Sequence, residues 1–314
     1  MKRHSIDPQR ERGQVLFVFA LVLVAIVAMT GLVLDGGSTF VQRRDMQNVA
    51  DAASMAGAYD YTTNASITSA IAAAQKVASD NGFTNGSGGV NVSVSVAPGT
   101  AGAWNVVVGV DKPHRNSFSG IVGLASWGVS TTATAQSGAP NGANGAMPII
   151  FNESAFPGGW GPASPVSFDE PGTGTQDVPQ GPNQFNWTVF CTANGNPCNG
   201  DSSTVSNLID NEGESTTVTL DKSVIGPLNA GTHTTLFSGL ADYVGAAPFP
   251  VAIVDNSGKM KGWAMFQLTG SVGGSTKQIS GFFVDKQNSS SLVVVQGGGN
   301  GTTNYGSYVV KLIN

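Results

Sequence analysis

Charge is scarce in this sequence: 15 Lys and Arg and 20 Asp and Glu among 314 residues, or 11% charged. An average soluble domain carries about 25%. The gap is filled by 42 glycines and by uncharged polar residues, which excludes the composition of a cytosolic helical enzyme and suits a turn-rich, β-rich exported chain. The apolar share of 40% still allows a packed core, so wholesale disorder is excluded. Clustered basic charge is missing as well. Beyond Arg43-Arg44 no Lys/Arg patch occurs, and the chain carries a net −5, which argues against a nucleic-acid partner, since phosphate neutralisation needs such a patch. What basic excess exists lies at the start, where Lys2, Arg3, Arg10 and Arg12 outnumber Asp7 and Glu11.

Catalytic signatures are missing too. There is no G-x-S-x-G elbow and no phosphate loop ending in G-K-[ST]. Gly297-Gly298-Gly299 falls late in a β region and reads as a turn. Of three histidines, His4 lies near the N-terminus, and His114 and His233 lie in polar loops without a nearby Cys or second His, so a zinc site is not expected. The expectation is a protein without enzymatic activity or cofactor. Cysteine is limited to Cys191 and Cys198. Their spacing suits a small disulfide loop in an oxidising compartment, worth about 2.5 kcal/mol on the chain-entropy model; a pair of free thiols is the alternative.

What the sequence does have is one long apolar run. Val15–Leu34, VLFVFALVLVAIVAMTGLVL, holds 20 residues without a charge. As an α-helix it spans about 30 Å, the thickness of a bilayer's hydrocarbon core. The basic residues before it place the N-terminus in the cytoplasm by the positive-inside rule and the rest outside. A cleaved signal peptide competes with this reading. The run is long for a signal core, and no clear small-x-small cleavage site precedes a polar start, so a retained single-pass anchor in the inner membrane is expected.

Asp35-Gly36-Gly37 marks the outer membrane boundary. Ser38–Ala58 then reads as a helix in which Met46, Val49, Ala53 and Ala56 form a narrow stripe of mostly small residues at helical spacing. Such a stripe admits close approach of another helix, either from a related subunit or from elsewhere in the same chain.

Arg12-Gly13-Gln14, the apolar run, the segment Gly31-Leu32-Val33-Leu34-Asp35-Gly36-Gly37, and the segment from Gln47 to Ala58, QNVADAASMAGA, together resemble the N-terminal region of TadG-like proteins of the tight-adherence (Flp) pilus-assembly systems, relatives of the TadE/TadF pseudopilins. Phe118–Gln136 resembles a strand of the same family, and Ala146–Ile150 its longer form. A prepilin peptidase site would need Glu at the fifth mature position. After Gly13 that position is Val18, so the resemblance implies a retained anchor rather than a processed pilin. It further implies a membrane-anchored, non-enzymatic component of a pilus or related secretion apparatus, with the bilayer and related pilus-assembly subunits as partners.

Further along, Ala65–Asp80 shows helical spacing and Val90–Val96 alternates as a half-buried strand. Pro98–Gly102 turns the chain into a partner strand, Trp104–Val110. Asn116 is placed to cap a short helix with Phe118, Ile121, Val122 and Leu124 inside, and Val129–Ala135 is another strand. The predicted architecture is α+β: a cytoplasmic tail over 1–14, a transmembrane helix over 15–34 extended into a long amphipathic helix, a small pilin-like α+β module over 35–136, a Gly/Ala/Asn linker over 137–146, and a β-rich extracytoplasmic domain over 147–314. In that domain strands are expected at Phe249–Val254, Gly262–Leu268, Gln278–Val284, Leu292–Gln296 and Tyr305–Leu312, with helices near Ser203–Asp210 and Leu236–Val244. Asp201, Asp210, Glu212 and Glu214 offer oxygen ligands to calcium, or form a solvated acidic surface. Trp160, Phe185, Trp187 and Tyr305, if exposed, would suit a membrane-tethered adhesin or carbohydrate-binding protein; packed inside, they are core.

Overall fold

A computed structural model describes residues 8–157, 161–171, 178–192, 201–220, 223–226, 233–285, 287–293 and 303–313. The chain is α+β. It opens with one helix, α1 (Pro8–Asn64), of 57 residues, about 86 Å long. Gly36 and Gly37 do not break it, although each costs about 1 kcal/mol against Ala. Hydroxyls on either side fold back onto the helix: Thr30 Oγ1 donates to the Ile26 carbonyl at 2.9 Å, and Ser38 and Thr39 donate to that of Asp35 at 2.9 and 2.7 Å.

The upper half of α1 packs on α2 (Ile67–Asp80), which starts where the Ser66 hydroxyl accepts from Ser69 N and buries Ala70, Ala74 and Ala78 at a spacing of four. Both helices lie on an antiparallel sheet of β1 (Asn91–Pro98), β2 (Trp104–Arg115) and β3 (Ser126–Gly138). The alternation of Val92, Val94 and Val96 explains β1. Inward valines at 106, 108 and 110 do the same for β2.

Residues 137–146 were expected to be a linker, and the structure corrects this. Ser137 and Gly138 continue β3, and Gly142–Ala143 forms β4. Seven of the ten are buried: Ser137, Gly138, Pro140, Asn141, Gly142, Ala143 and Ala146. The small residues serve close packing. A Cβ on Gly138 would sit 2.9 Å from the Ala103 Cβ, and one on Gly142 would sit 2.8 Å from a Val293 methyl.

Then follow β5 (Ile149–Asn152), β6 (Val166–Asp169), β7 (Phe185–Trp187), β8 (Val189–Thr192), α3 (Ser202–Asp210), β9 (Val218–Thr219), β10 (Ser223–Gly226), α4 (Thr234–Ala241), β11 (Phe249–Val254), β12 (Met260–Val272), β13 (Gln278–Phe283), β14 (Gln287–Asn288), β15 (Leu292–Val293) and β16 (Ser307–Ile313). Six strands make a mixed sheet in the order β6-β13-β12-β11-β5-β7. One face carries Phe151, Phe168 and Phe266 and packs against Val205 and Ile209 of α3 and Leu236 and Phe237 of α4. The other face, with Ile150, Trp263 and Met265, is covered by Phe190, Val218 and Val309.

The division at residue 147 also needs correction. β16, from the end of the described chain, pairs with β3, so the first sheet runs β1-β2-β3-β16-β14. The C-terminal region thus supplies strands to the N-terminal module.

Candidate functional site: the junction of stem and head

Every large apolar side chain from Val15 to Leu34 is 51–72% exposed. An 18-residue window of this stretch has mean hydropathy 2.9, and it is long and apolar enough to cross a membrane. Among the described residues these side chains stay largely uncovered, an apolar surface of a kind soluble monomers avoid.

Above it, one face of α1 meets the head along a continuous stripe: Gly31, Asp35, Ser38, Gln42, Met46, Val49, Ala53 and Gly57, spaced three or four apart. Met46, Val49 and Ala53 are 0%, 7% and 0% exposed and belong to the core formed with the valines of β1 and β2. Ala56 is half-buried. Of the two readings of the stripe through Met46, Val49, Ala53 and Ala56, packing within the same chain is the one seen: the chain's own sheet covers Met46, Val49 and Ala53, and a partner helix there would have to displace it. At its top, Gly57 lets β2 and α2 come close, since a Cβ would lie 2.9 Å from a Val106 methyl and 3.0 Å from the Ala70 carbonyl.

Below Met46 the stripe turns polar and grips the end of β2. Gln42 Nε2 donates to the Lys112 carbonyl at 3.0 Å. Its Oε1 lies 2.7 Å from His114 Nδ1, and Ser38 Oγ lies 2.9 Å from His114 Nε2. One turn lower, the Asp35 carboxylate accepts three backbone N–H groups of the β2–β3 loop: Ser117 at 2.9 Å, Phe118 at 3.1 Å and Ser119 at 2.6 Å. The Ser119 amide, most of all, and those of Ser117 and Phe118 hold the Asp35 carboxyl below the ordinary aspartate value of 3.8, against the opposing effect of its burial. Lower still, Gly31 abuts Phe118; a Cβ there would fall 2.5 Å from the Phe118 Cβ.

The loop after β2 departs from expectation. It forms a short 3-10 turn, Ser119–Val122, and Asn116 does not cap it; its side chain donates instead to the Leu124 carbonyl at 2.8 Å. Phe118, Ile121 and Leu124, expected inside, are 42%, 82% and 54% exposed. Together with Leu23, Val27 and Leu32 of the stem they border an apolar cleft of about 410 Å³. Sequence reading missed the roles of Gly31, Asp35, Ser38 and Gln42. The signal was present, because they prolong the stripe of Met46 at its own spacing.

The remaining candidate residues are placed as follows. The Cys191–Cys198 pairing lies outside the described residues, as does Trp160. Phe185, Trp187 and Tyr305 are buried at 0%, 2% and 2%, so they offer no exposed aromatic surface. Burial pushes the Tyr305 hydroxyl up to about 12. Asp201 caps α3, its Oδ1 accepting from Thr204 N at 2.7 Å, and this bond, with those from Ser203 and the Thr204 hydroxyl, keeps its carboxyl low. Glu214 accepts from Thr216. Among the described residues no group of three or more His, Cys, Asp or Glu comes together to hold a metal. His233 is buried, not in an open loop; its Nδ1 pairs with Glu170 Oε1, and Lys277 Nζ stands 4.0 Å from the other Glu170 oxygen.

The stem and the stripe above it are also where a known family's pattern falls. Residues 13–60 match the family model for Flp pilus-assembly TadE/G-like proteins. The matched segment contains the apolar run, Gly31, Asp35, the clamp at Ser38 and Gln42, and the buried stripe up to Gly57. It ends near the top of α1. No curated protein and no solved structure matches the chain.

Proposed function

We propose that this protein is a single-pass, non-enzymatic component of a Flp (tight-adherence) pilus or related secretion apparatus, held in the inner membrane by the lower stem with its head on the extracytoplasmic side. The observation that carries the reading is the coincidence of the TadE/G-like match over residues 13–60 with one structural unit, the bare apolar stem and the face that seats the head on it. The basic N-terminal flank supports the orientation. In such an assembly the head would act through its surfaces, and its partners would be other pilus-assembly subunits. The adhesin alternative depended on exposed aromatics, of which Phe185, Trp187 and Tyr305 are buried.

The test is crosslinking in native membranes followed by purification of the full chain, with protease added from outside. Retention of the chain after carbonate washing, cleavage of the head, and recovery of TadE/G-like or other pilus-assembly subunits are expected. A chain released into the soluble fraction, or one crosslinked to no pilus-assembly subunit, would overturn the proposal.

A further inference from the structure

We propose that the β2–β3 loop, residues 118–124, is a second membrane-inserted element: it enters the leaflet on the head's side, and lipid acyl chains fill the cleft between it and the stem. The inference rests on the stem being a membrane anchor, and it adds a contact that the anchor does not require.

Three observations lead to lipid as the occupant. First, the loop is continuous with the lipid-facing surface. Its apolar side chains Phe118, Ile121 and Leu124 stand beside Leu23, Val27 and Leu32, all within the stretch whose large side chains are bare. Leu23 lies eleven residues before Leu34, about 16 Å along the helix axis, so the cleft's stem wall reaches about half-way into a 30 Å hydrocarbon core. A head standing clear of the bilayer could not border those residues. Second, the loop has no charge. From Asn116 to Ser130 the sequence is NSFSGIVGLASWGVS; His114 and Arg115 precede it on the head's side, and the half-buried Trp127 follows, a residue type enriched at membrane interfaces.

Third, the loop's backbone is prepared for a medium without water. In lipid an unpaired N–H is costly. Asp35 takes the N–H groups of Ser117, Phe118 and Ser119. Ile121 N donates to the Phe118 carbonyl, Gly123 N to that of Gly120, and Leu124 N to that of Ser119. Asn116 bonds the Leu124 and Ala125 carbonyls with its side chain and backbone. Six backbone N–H groups between Ser117 and Leu124 thus have acceptors inside the protein. The consequence is mechanical. A stem alone leaves the head free to swivel and tilt, whereas a stem and a loop inserted side by side fix its orientation on the membrane.

The test places a photoreactive diazirine side chain at position 121 of the full chain, reconstituted in vesicles of phosphatidylethanolamine and phosphatidylglycerol. Adducts are read by mass spectrometry. Position 24 in the stem and position 272 on the head serve as references; Ile121 and Val272 are exposed, so neither replacement disturbs packing. Phospholipid adducts at 121, in yield within about threefold of those at 24 and absent at 272, are expected. Water adducts at 121, or adducts to a second copy of the chain, with lipid adducts retained at 24, would overturn the loop's insertion and leave the anchor standing. Loss of lipid adducts at 24 as well would overturn both.

Discussion

Around the upper half of α1 the core is made of alanine and valine: Ala50, Ala53, Ala74 and Ala78 face Val92, Val106, Val108 and Val110. On the six-stranded sheet it is made of rings. Phe151 alone lies with its centroid 4.8 Å from that of Phe168, 4.9 Å from Phe266 and 5.0 Å from Phe283. The two cores solve different problems. Small residues bring a rigid helix close to a sheet so that polar groups lower on the same face reach β2 and its loop: Gln42 and Asp35 hold backbone groups, and Ser38 meets the His114 ring. Large rings fill a wide space between a sheet and two short helices, and their positions depend on one another. Removal of atoms should cost the ring-packed core more than the small-residue core, while added atoms crowd both: a Cβ on Gly281 would clash with the Phe266 ring.

That contrast can be broken experimentally, and the largest expected effect is in the ring cluster. Phe151→Ala should cost about 3–5 kcal/mol, because neighbouring rings on three sides cannot collapse into the cavity. Denaturant unfolding of the detergent-solubilised full chain, followed by near-ultraviolet circular dichroism, measures it; a loss below about 1 kcal/mol would mean that the rings repack as freely as the small-residue core.

Ala53→Leu tests the other side. The added atoms overpack an enclosed site at a cost of about 1–3 kcal/mol. An unchanged melting temperature would show that the stripe has room for a larger side chain and is not closed by the sheet.

Asp35→Asn sharpens the role of the polar stretch. The carboxylate's folded pKa is lowered, so its contribution is present above the ordinary aspartate range and is lost as pH falls through the folded value. Amide exchange at Ser117, Phe118 and Ser119, corrected for intrinsic rate, should accelerate on acidification below that range in the wild type. In Asp35→Asn it should already be at least about tenfold faster at neutral pH, since hydrogen bonds to a charged acceptor are the stronger kind. Equal exchange in the two proteins would remove Asp35 from its anchoring role.

The smallest effect is expected at the joint between bare and packed stem. A Cβ on Gly37 meets nothing within 4 Å, so Gly37→Ala should stabilise the helix by about 0.5–1 kcal/mol, read as slower amide exchange around residue 37. Faster exchange would indicate that the glycine serves a bend.

Much of this was legible because it is local. The length and lack of charge of Val15–Leu34 determine a helix that can span a bilayer, whatever follows it. The alternation of Val92, Val94 and Val96 determines a strand with one buried face, and the repeat of Ala70, Ala74 and Ala78 a helix with one small face. Phe249–Val254 and Gln278–Phe283 are found where their apolar runs placed them, within a residue. The shorter strands β5, β6 and β7 carried no comparable signal, since three or four residues do not show a period.

Tertiary structure decided what each face meets. The stripe through Met46, Val49 and Ala53 reads alike whether a neighbour's helix or the chain's own sheet lies across it; spacing says which side chains share a face but not what covers them. Gly138 and Gly142 look like linker in composition because glycine serves flexible chain and tight crossings equally, and only Ala103 and Val293 pressing against them separate the two. Phe118, Ile121 and Leu124 carry the pattern of a buried helix, yet Asp35 takes the amides before the turn and the side chains are left on the surface. The pairing of β16 with β3 joins segments some 170 residues apart, and no local pattern encodes a partner at that distance, because the pairing forms only once both regions have folded against each other.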